Sequence, residues 1–198
     1  MSDLKGTVEM VEPTAAERTI GRRAAEARAT VPDIELGVDV DVGRALELEA
    51  SPSALLVRAS ALALREHPRA NGAYRDGHYE LYSRINCGLV TFSGEIATVL
   101  DADQKRLAEL TAEIDDLKQR GEALSAAERS GATYTLSHYP VTRPGAIIVP
   151  PHAIALAAGE VRGETVHVTV ACDHRIVFGA HAASLLGRLR ELLEGATL

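Results

Sequence analysis

Asp173-His174-Arg175 stands directly after the alternating run Thr165–Cys172 and ahead of a leucine-rich stretch that begins near Gly179. The end of a strand that feeds a helix is a rigid place from which to present a reactive side chain. Alternation puts Val166, Val168, Val170 and Cys172 on one face, with His174 next in that series. A neutral imidazole there can accept a proton near pH 7, which makes His174 a candidate buried general base. The same spacing also serves a core or helix-capping histidine, and spacing does not separate the two.

Ser137 closes a second short run, Thr133-Tyr134-Thr135-Leu136-Ser137. A hydroxyl fixed at a strand end can donate to an oxyanion as it forms, although most serines so placed are turn or surface residues. No G-x-S-x-G elbow surrounds it. His67, His78, His138, His152, His167 and His181 show no metal-ligand spacing with nearby cysteines or acids, so no metal is expected. A glycine-rich phosphate loop is absent as well. Cys87 and Cys172 are read as two reduced, buried thiols.

The elements that must position these residues follow from pattern. Thr14 with Glu17 reads as a capping box, and Ala15 to Ala29 as a helix ended by Pro32. Ile34, Leu36, Val38, Val40 and Val42 alternate as a half-buried strand. A helix after Ser51–Pro52 runs to about Glu66, apolar on nearly every side and so buried. Residues 68–77 read as loop, then strands at Tyr79–Tyr82 and Ile85–Thr91. Asp101 or Asp103 opens a helix with the seam Leu107, Leu110, Ile114, Leu117, stopped at Gly121. Further strands are expected at Thr133–Ser137, Ala146–Val149, Ile154–Ala158 and Thr165–Cys172. The last helix carries Ala182, Leu185, Leu186, Leu189, Leu192 and Leu193 on one face. The order predicts one mixed α/β domain over residues 12–198, preceded by an arm over 1–11.

Composition narrows the function. A chain of 198 residues can build a sizeable core, burying roughly 70% of its unfolded surface. The net charge of −7, with acids and bases interspersed, disfavours nucleic acid as the main partner. Residues 1–12 lack the apolar centre of a signal peptide, and no run approaches the ~18 apolar residues of a membrane span. A cytoplasmic protein is expected.

The residues also resemble a known family, and the resemblance covers roughly residues 8–195. Asp173-His174-Arg175-Ile176-Val177-Phe178-Gly179-Ala180 is similar to the D-H-R-x-x-D-G-A motif of the catalytic domain of 2-oxoacid dehydrogenase dihydrolipoamide acyltransferases. Arg18-Thr19-Ile20-Gly21-Arg22-Arg23, Asn86-Cys87-Gly88, the Thr133–Ser137 run and Pro150-Pro151 followed by Ala153-Ile154-Ala155-Leu156 match further family motifs in order. The resemblance implies a chloramphenicol acetyltransferase-like two-layer sandwich with a mixed β-sheet. It also implies a homotrimer with the active site at the subunit interface and a coenzyme A thioester as acyl donor. His174 would be the base and Ser137 the oxyanion donor, with Asp173, Arg175, Phe178, Gly179, His138 and Arg23 binding substrate or supporting the loop.

The departures are specific. Phe178 replaces the family's aspartate, His138 the asparagine after the serine, and Val149 the asparagine before the double proline. Loss of the acid leaves Arg23 to find a substitute partner. Loops around Ser93–Glu95 and between Tyr139 and Ala146 are shortened, which predicts a changed acceptor side. With no lipoyl domain in the chain, the acceptor is expected to be a small molecule or a separate carrier protein. The reading drawn from this is a stand-alone acyltransferase acting on a hydroxyl or thiol, in the manner of bacterial polyketide or tetronate pathways. The alternatives are a truncated oxoacid dehydrogenase core subunit and a repurposed scaffold.

Overall fold

The computed structural model describes residues 6–91, 94–120 and 123–198. Residues 6–14 lie exposed and without regular structure, and helix α1 (Ala15–Thr30) follows. Its capping box is complete: Thr14 Oγ1 accepts from Glu17 N–H at 3.2 Å, and the Glu17 carboxylate accepts from Thr14 N–H at 2.6 Å. Only Ala27 of α1 is buried. Strand β1 (Asp33–Asp41) and the single-turn α2 (Gly43–Leu46) lead to α3 (Pro52–Glu66). Ser51 caps α3 by accepting from Ala54 N–H at 3.2 Å, and nine residues of this helix are buried, as its all-round apolarity predicts.

The chain continues through a 3₁₀ turn, the hairpin β2 (Gly72–Arg75) and β3 (His78–Leu81), and a second hairpin of β4 (Cys87–Val90) and β5 (Ile96–Val99). Then come α4 (Leu107–Arg120), the short α5 (Ala126–Ser130), β6 (Tyr134–His138), β7 (Ile154–Ala158), β8 (Thr165–Asp173) and α6 (Gly179–Glu194). Six strands form one mixed sheet in the order β1-β8-β7-β6-β4-β5. The β4–β6 and β6–β7 pairs are parallel, and the other three are antiparallel.

The sheet separates two apolar regions of unequal size. On one face α3 packs between α4 and α6, and the main core joins Leu55, Leu64, Ile114, Leu136, Leu156, Val168, Cys172 and Leu189. Each such leucine or isoleucine contributes ~1.5–3 kcal/mol by leaving water. Ser60 and Tyr134 are buried inside this core, their hydroxyls 2.8 Å apart, so neither loses its hydrogen bond. Burial pushes the Tyr134 phenol well above its usual range. Cys87 and Cys172 are free and buried here, and burial pushes both thiols up to about 12. On the opposite face Val31, Ala146 and Ile148 form a small buried cluster with Ala155, Ala157 and Ala171.

Several expectations are corrected. Ala146–Val149 is not a strand but an irregular strap, held where Glu35 Oε1 accepts from Ala146 N–H at 2.7 Å and Thr169 Oγ1 donates to Pro144 C=O at 2.9 Å. A side chain takes the strap's first N–H, and its last carbonyl, that of Val149, accepts from His152 N–H. Residues 68–77 are not all loop: β2 pairs with β3 around Asp76-Gly77, both at positive φ (49° and 81°). Strand β5 and helix α5 were not anticipated. Helix α4 starts at Leu107 because Asp101 pairs with Arg84 and takes Asn86 Oδ1 on its N–H at 2.9 Å, so this acid closes a turn and caps no helix. Gly121 and Ser93 lie outside the described residues.

Candidate active site

His174 occupies the turn between β8 and α6, and Asp173 builds that turn. The Asp173 carboxylate is 2% exposed and accepts from Arg175 N–H at 3.0 Å, Arg175 Nε at 2.9 Å and Arg175 Nη2 at 2.7 Å. Its carbonyl accepts from Ile176 and Val177, and its own N–H donates to Ala153. The aspartate holds the Arg175 guanidinium above its ordinary pKa, chiefly through these hydrogen bonds. Arg175 also stacks over Tyr74, 4.7 Å from the ring centroid, and Tyr79 donates to its carbonyl at 3.1 Å. The β2–β3 hairpin therefore clamps the motif. The Asp76-Gly77 hairpin signal was present in the sequence, but nothing there tied Tyr74 or Tyr79 to Arg175.

His174 itself donates its backbone N–H to Pro32 at 2.9 Å, and its side chain is exposed. The expectation of a buried imidazole is corrected: alternation buries Val166 to Cys172, but the strand ends at Asp173 and the turn carries His174 outward. Phe178 lies edge-on to it, with ring centroids 5.6 Å apart at 75°. On its other side Phe178 meets His181 at 5.6 Å, and the Phe178 N–H reaches His181 Nδ1 at 3.4 Å. Phe178 is the N-cap residue of α6 and supplies no side-chain acceptor, while Gly179 opens the helix.

Ser137 sits on β6, on the face away from the main core, and lines a cavity of about 220 Å³ with Ile20, Arg23, Val90, Ile96 and Ile147. Arg23 is exposed and has no ion-pair partner among the described residues. The expected substitute partner is not found there, and none is required, because an exposed guanidinium keeps its hydration. His138, the next residue on β6, points to the opposite face and lines a different cavity, so it is not part of the Ser137 pocket.

Register fixes the separation of the two candidates. Ser137 pairs with Ala157, Ala157 with Thr169, and His174 lies five residues beyond Thr169. At ~3.3 Å per residue along the strand and ~4.8 Å between strands, the two Cα atoms are roughly 19 Å apart. Within one chain His174 and Ser137 do not meet. Among the described residues no cluster of histidine, cysteine and acidic side chains could hold a metal, and no helix is long and apolar enough to cross a membrane.

Comparison with known proteins now adds the family. The model of the 2-oxoacid dehydrogenases acyltransferase (catalytic domain) matches residues 5–198, and the chain belongs to that family. It is 28% identical over 226 residues to the dihydrolipoyllysine-residue acetyltransferase component of the pyruvate dehydrogenase complex of Rhizobium meliloti, covering 96% of this chain and 51% of the relative. The chain thus spans about half the length of the curated relatives it matches. In structure it is similar to the dihydrolipoamide acetyltransferase of Azotobacter vinelandii, with a TM-score of 0.88 at 21% identity over 98% of this chain and 94% of that one. It is also similar to a chloramphenicol acetyltransferase, with a TM-score of 0.57 at 16% identity over 94% of this chain and 99% of that one. The mixed sheet with α3, α4 and α6 on one face is accordingly the chloramphenicol acetyltransferase-like fold.

Proposed function

We propose that the chain moves an acyl group between a coenzyme A thioester and a thiol of the dihydrolipoyl type, in a site assembled from two copies of itself. The single observation that carries this reading is the roughly 19 Å between His174 and Ser137 on a rigid sheet. His174 is exposed and Ser137 is half-buried in a cavity rimmed by exposed apolar residues, Ile20 (36% exposed) and Ile147 (50%). A neighbouring subunit that covers this rim brings its own His174 to Ser137, as in a homotrimer. The Azotobacter relative supports the assignment, since a serine, a histidine and an asparagine have been investigated for their roles in its catalytic mechanism. That histidine and asparagine are four positions apart, the spacing of His174 and Phe178.

In this site the His174 imidazole takes the proton of the acceptor thiol, and the thiolate attacks the thioester carbonyl. Ser137 Oγ donates to the resulting oxyanion, a contribution of ~3–4 kcal/mol for one donor. Collapse of the tetrahedral species expels the coenzyme A thiolate, which takes the proton back from His174. Arg23, unpaired at the cavity wall, suits an anionic portion of either substrate. The Rhizobium relative is a component of a pyruvate dehydrogenase complex, which favours a carrier-borne thiol over the hydroxyl of a biosynthetic intermediate as acceptor. Two free buried thiols accord with a reducing, cytoplasmic setting.

Subunit mixing tests this reading. His174→Ala and Ser137→Ala homomers should each lose coenzyme A release from acetyl-CoA with dihydrolipoamide. Unfolding and refolding the two together should restore turnover, because mixed assemblies contain some sites with both residues intact. Full activity of the His174→Ala protein, or no recovery in mixtures shown by mass spectrometry to be mixed, would overturn it.

A further inference from the structure

A larger cavity, about 470 Å³, opens on the helix-covered side of the sheet, between β4, β6, the start of α3 and the end of α4. Small-molecule sites span roughly 300–1,000 Å³ and are mainly apolar with a few placed polar groups. This cavity has that composition. Leu89, Leu117 and Leu136 form an apolar floor, and Ser53, His138 and Lys118 stand around it. The apolar floor selects an aliphatic group, because covering it gains ~25 cal/mol for each Å² removed from water.

The polar rim selects the charge. Lys118 is exposed and has no ion-pair partner among the described residues, whereas Arg120, two residues on, pairs with both Asp116 and Glu128. His138 Nδ1 lies 3.3 Å from Ser53 Oγ. Burial, together with the Lys118 charge, holds the His138 pKa below its ordinary value, and the ring also hydrogen-bonds the Gly159 backbone. Among the described residues the lining of this cavity contains no carboxylate. An ammonium with no ion-pair partner among the described residues, beside a neutral Ser–His pair and over an apolar floor, is complementary to an anion with an aliphatic tail.

We propose that this cavity binds a small monocarboxylate with an aliphatic tail, its carboxylate at Lys118 and its tail over Leu89, Leu117 and Leu136. It is separate from His174 and from the Ser137 cavity, although Val90 and Tyr139 border both cavities. Nothing in it depends on acyl transfer, so failure of that reading leaves this one intact.

Decanoate is the probe, titrated into the full chain by calorimetry and followed by the resonance of a carboxylate-labelled sample. Saturable binding at one site per chain is the expected result. Decanol, with the same tail and no charge, should bind about tenfold more weakly, and Lys118→Gln should weaken decanoate by about the same factor. Ser53→Trp, at the mouth and outside the main core, should block binding while circular dichroism and the unfolding midpoint show an intact fold. Absence of saturable binding overturns the proposal. Equal affinity for decanol overturns the assigned charge recognition, and unchanged affinity in both variants places the ligand elsewhere and overturns the site.

Discussion

The turn carrying His174 and the cavity carrying Ser137 lie on the same sheet but are built in opposite ways. The His174 turn is over-determined. A buried aspartate binds three donors of Arg175, two tyrosines of a neighbouring hairpin hold the arginine, and α6 begins immediately after. The Ser137 cavity has a rigid floor in β6 and walls that are sparse: one side of α1, which buries only Ala27, and the strap through Ile147. The difference teaches that one chain preorganises the turn under His174 and leaves Ser137 half enclosed. A second copy completes the site in the reading given above.

The comparison breaks most sharply at His174. His174→Ala should lower the rate of coenzyme A release by ~10²–10⁴-fold, with the unfolding midpoint unchanged because the ring is exposed. Ser137→Ala should cost ~10²–10³-fold with little change in substrate KM, since the hydroxyl acts on the oxyanion rather than on the ground state. A loss in KM alone would make Ser137 part of the cavity wall and nothing more.

Dryness beside the His174 turn can be read from pH. His152 follows the Pro150-Pro151 motif, with Nε2 donating to Ala132 C=O at 2.9 Å, and burial lowers its pKa to about 4. Between about pH 6.5 and 4 the unfolded chain therefore binds a proton that the folded chain refuses. Stability falls as pH falls through that window, by about 3 kcal/mol from this group, and the term is constant below it. In urea titrations His152→Gln should remove that part of the slope relative to the parent chain. Parallel slopes would mean that water reaches the ring.

The Asp173 anchor is tested by Asp173→Asn, which keeps the shape and removes the charge from the Arg175 pair. A loss of about 2 kcal/mol in denaturant unfolding is expected, with activity falling further than folding explains. Phe178→Asp carries the smallest effect. It supplies the missing N-cap acceptor of α6, worth about 1 kcal/mol or roughly 2–4 °C in Tm, and removes the ring at the edge of His174. A lower Tm would show that the Phe178 contacts with His174 and His181 outweigh the cap.

Much of the scaffold was legible in the sequence because its signals are local. Thr14 and Glu17 form their capping box whatever lies around them, Ile154–Ala158 is a strand as read, and the leucines of α6 face the sheet. Errors arose where a distant partner decides. Ala146–Val149 has a strand-like pattern, yet Glu35, over a hundred residues away, takes its first N–H, and it pairs with no strand among the described residues. Asp101 could have capped α4, but Arg84 and Asn86 claim it for a turn.

For the site, the ordered motifs singled out His174 and Ser137 by residue type, but His138, grouped with the site residues, lies on the opposite face of β6 from Ser137. What the sequence by itself determined is therefore the family and the periodicity of each element, and it named the candidate reactive groups, all from near neighbours. Only the tertiary structure decided that His174 leaves the core, that a tyrosine hairpin grips Arg175, and that His174 and Ser137 stand roughly 19 Å apart. Those facts depend on strand order and register, which are set by contacts between residues far apart in the chain.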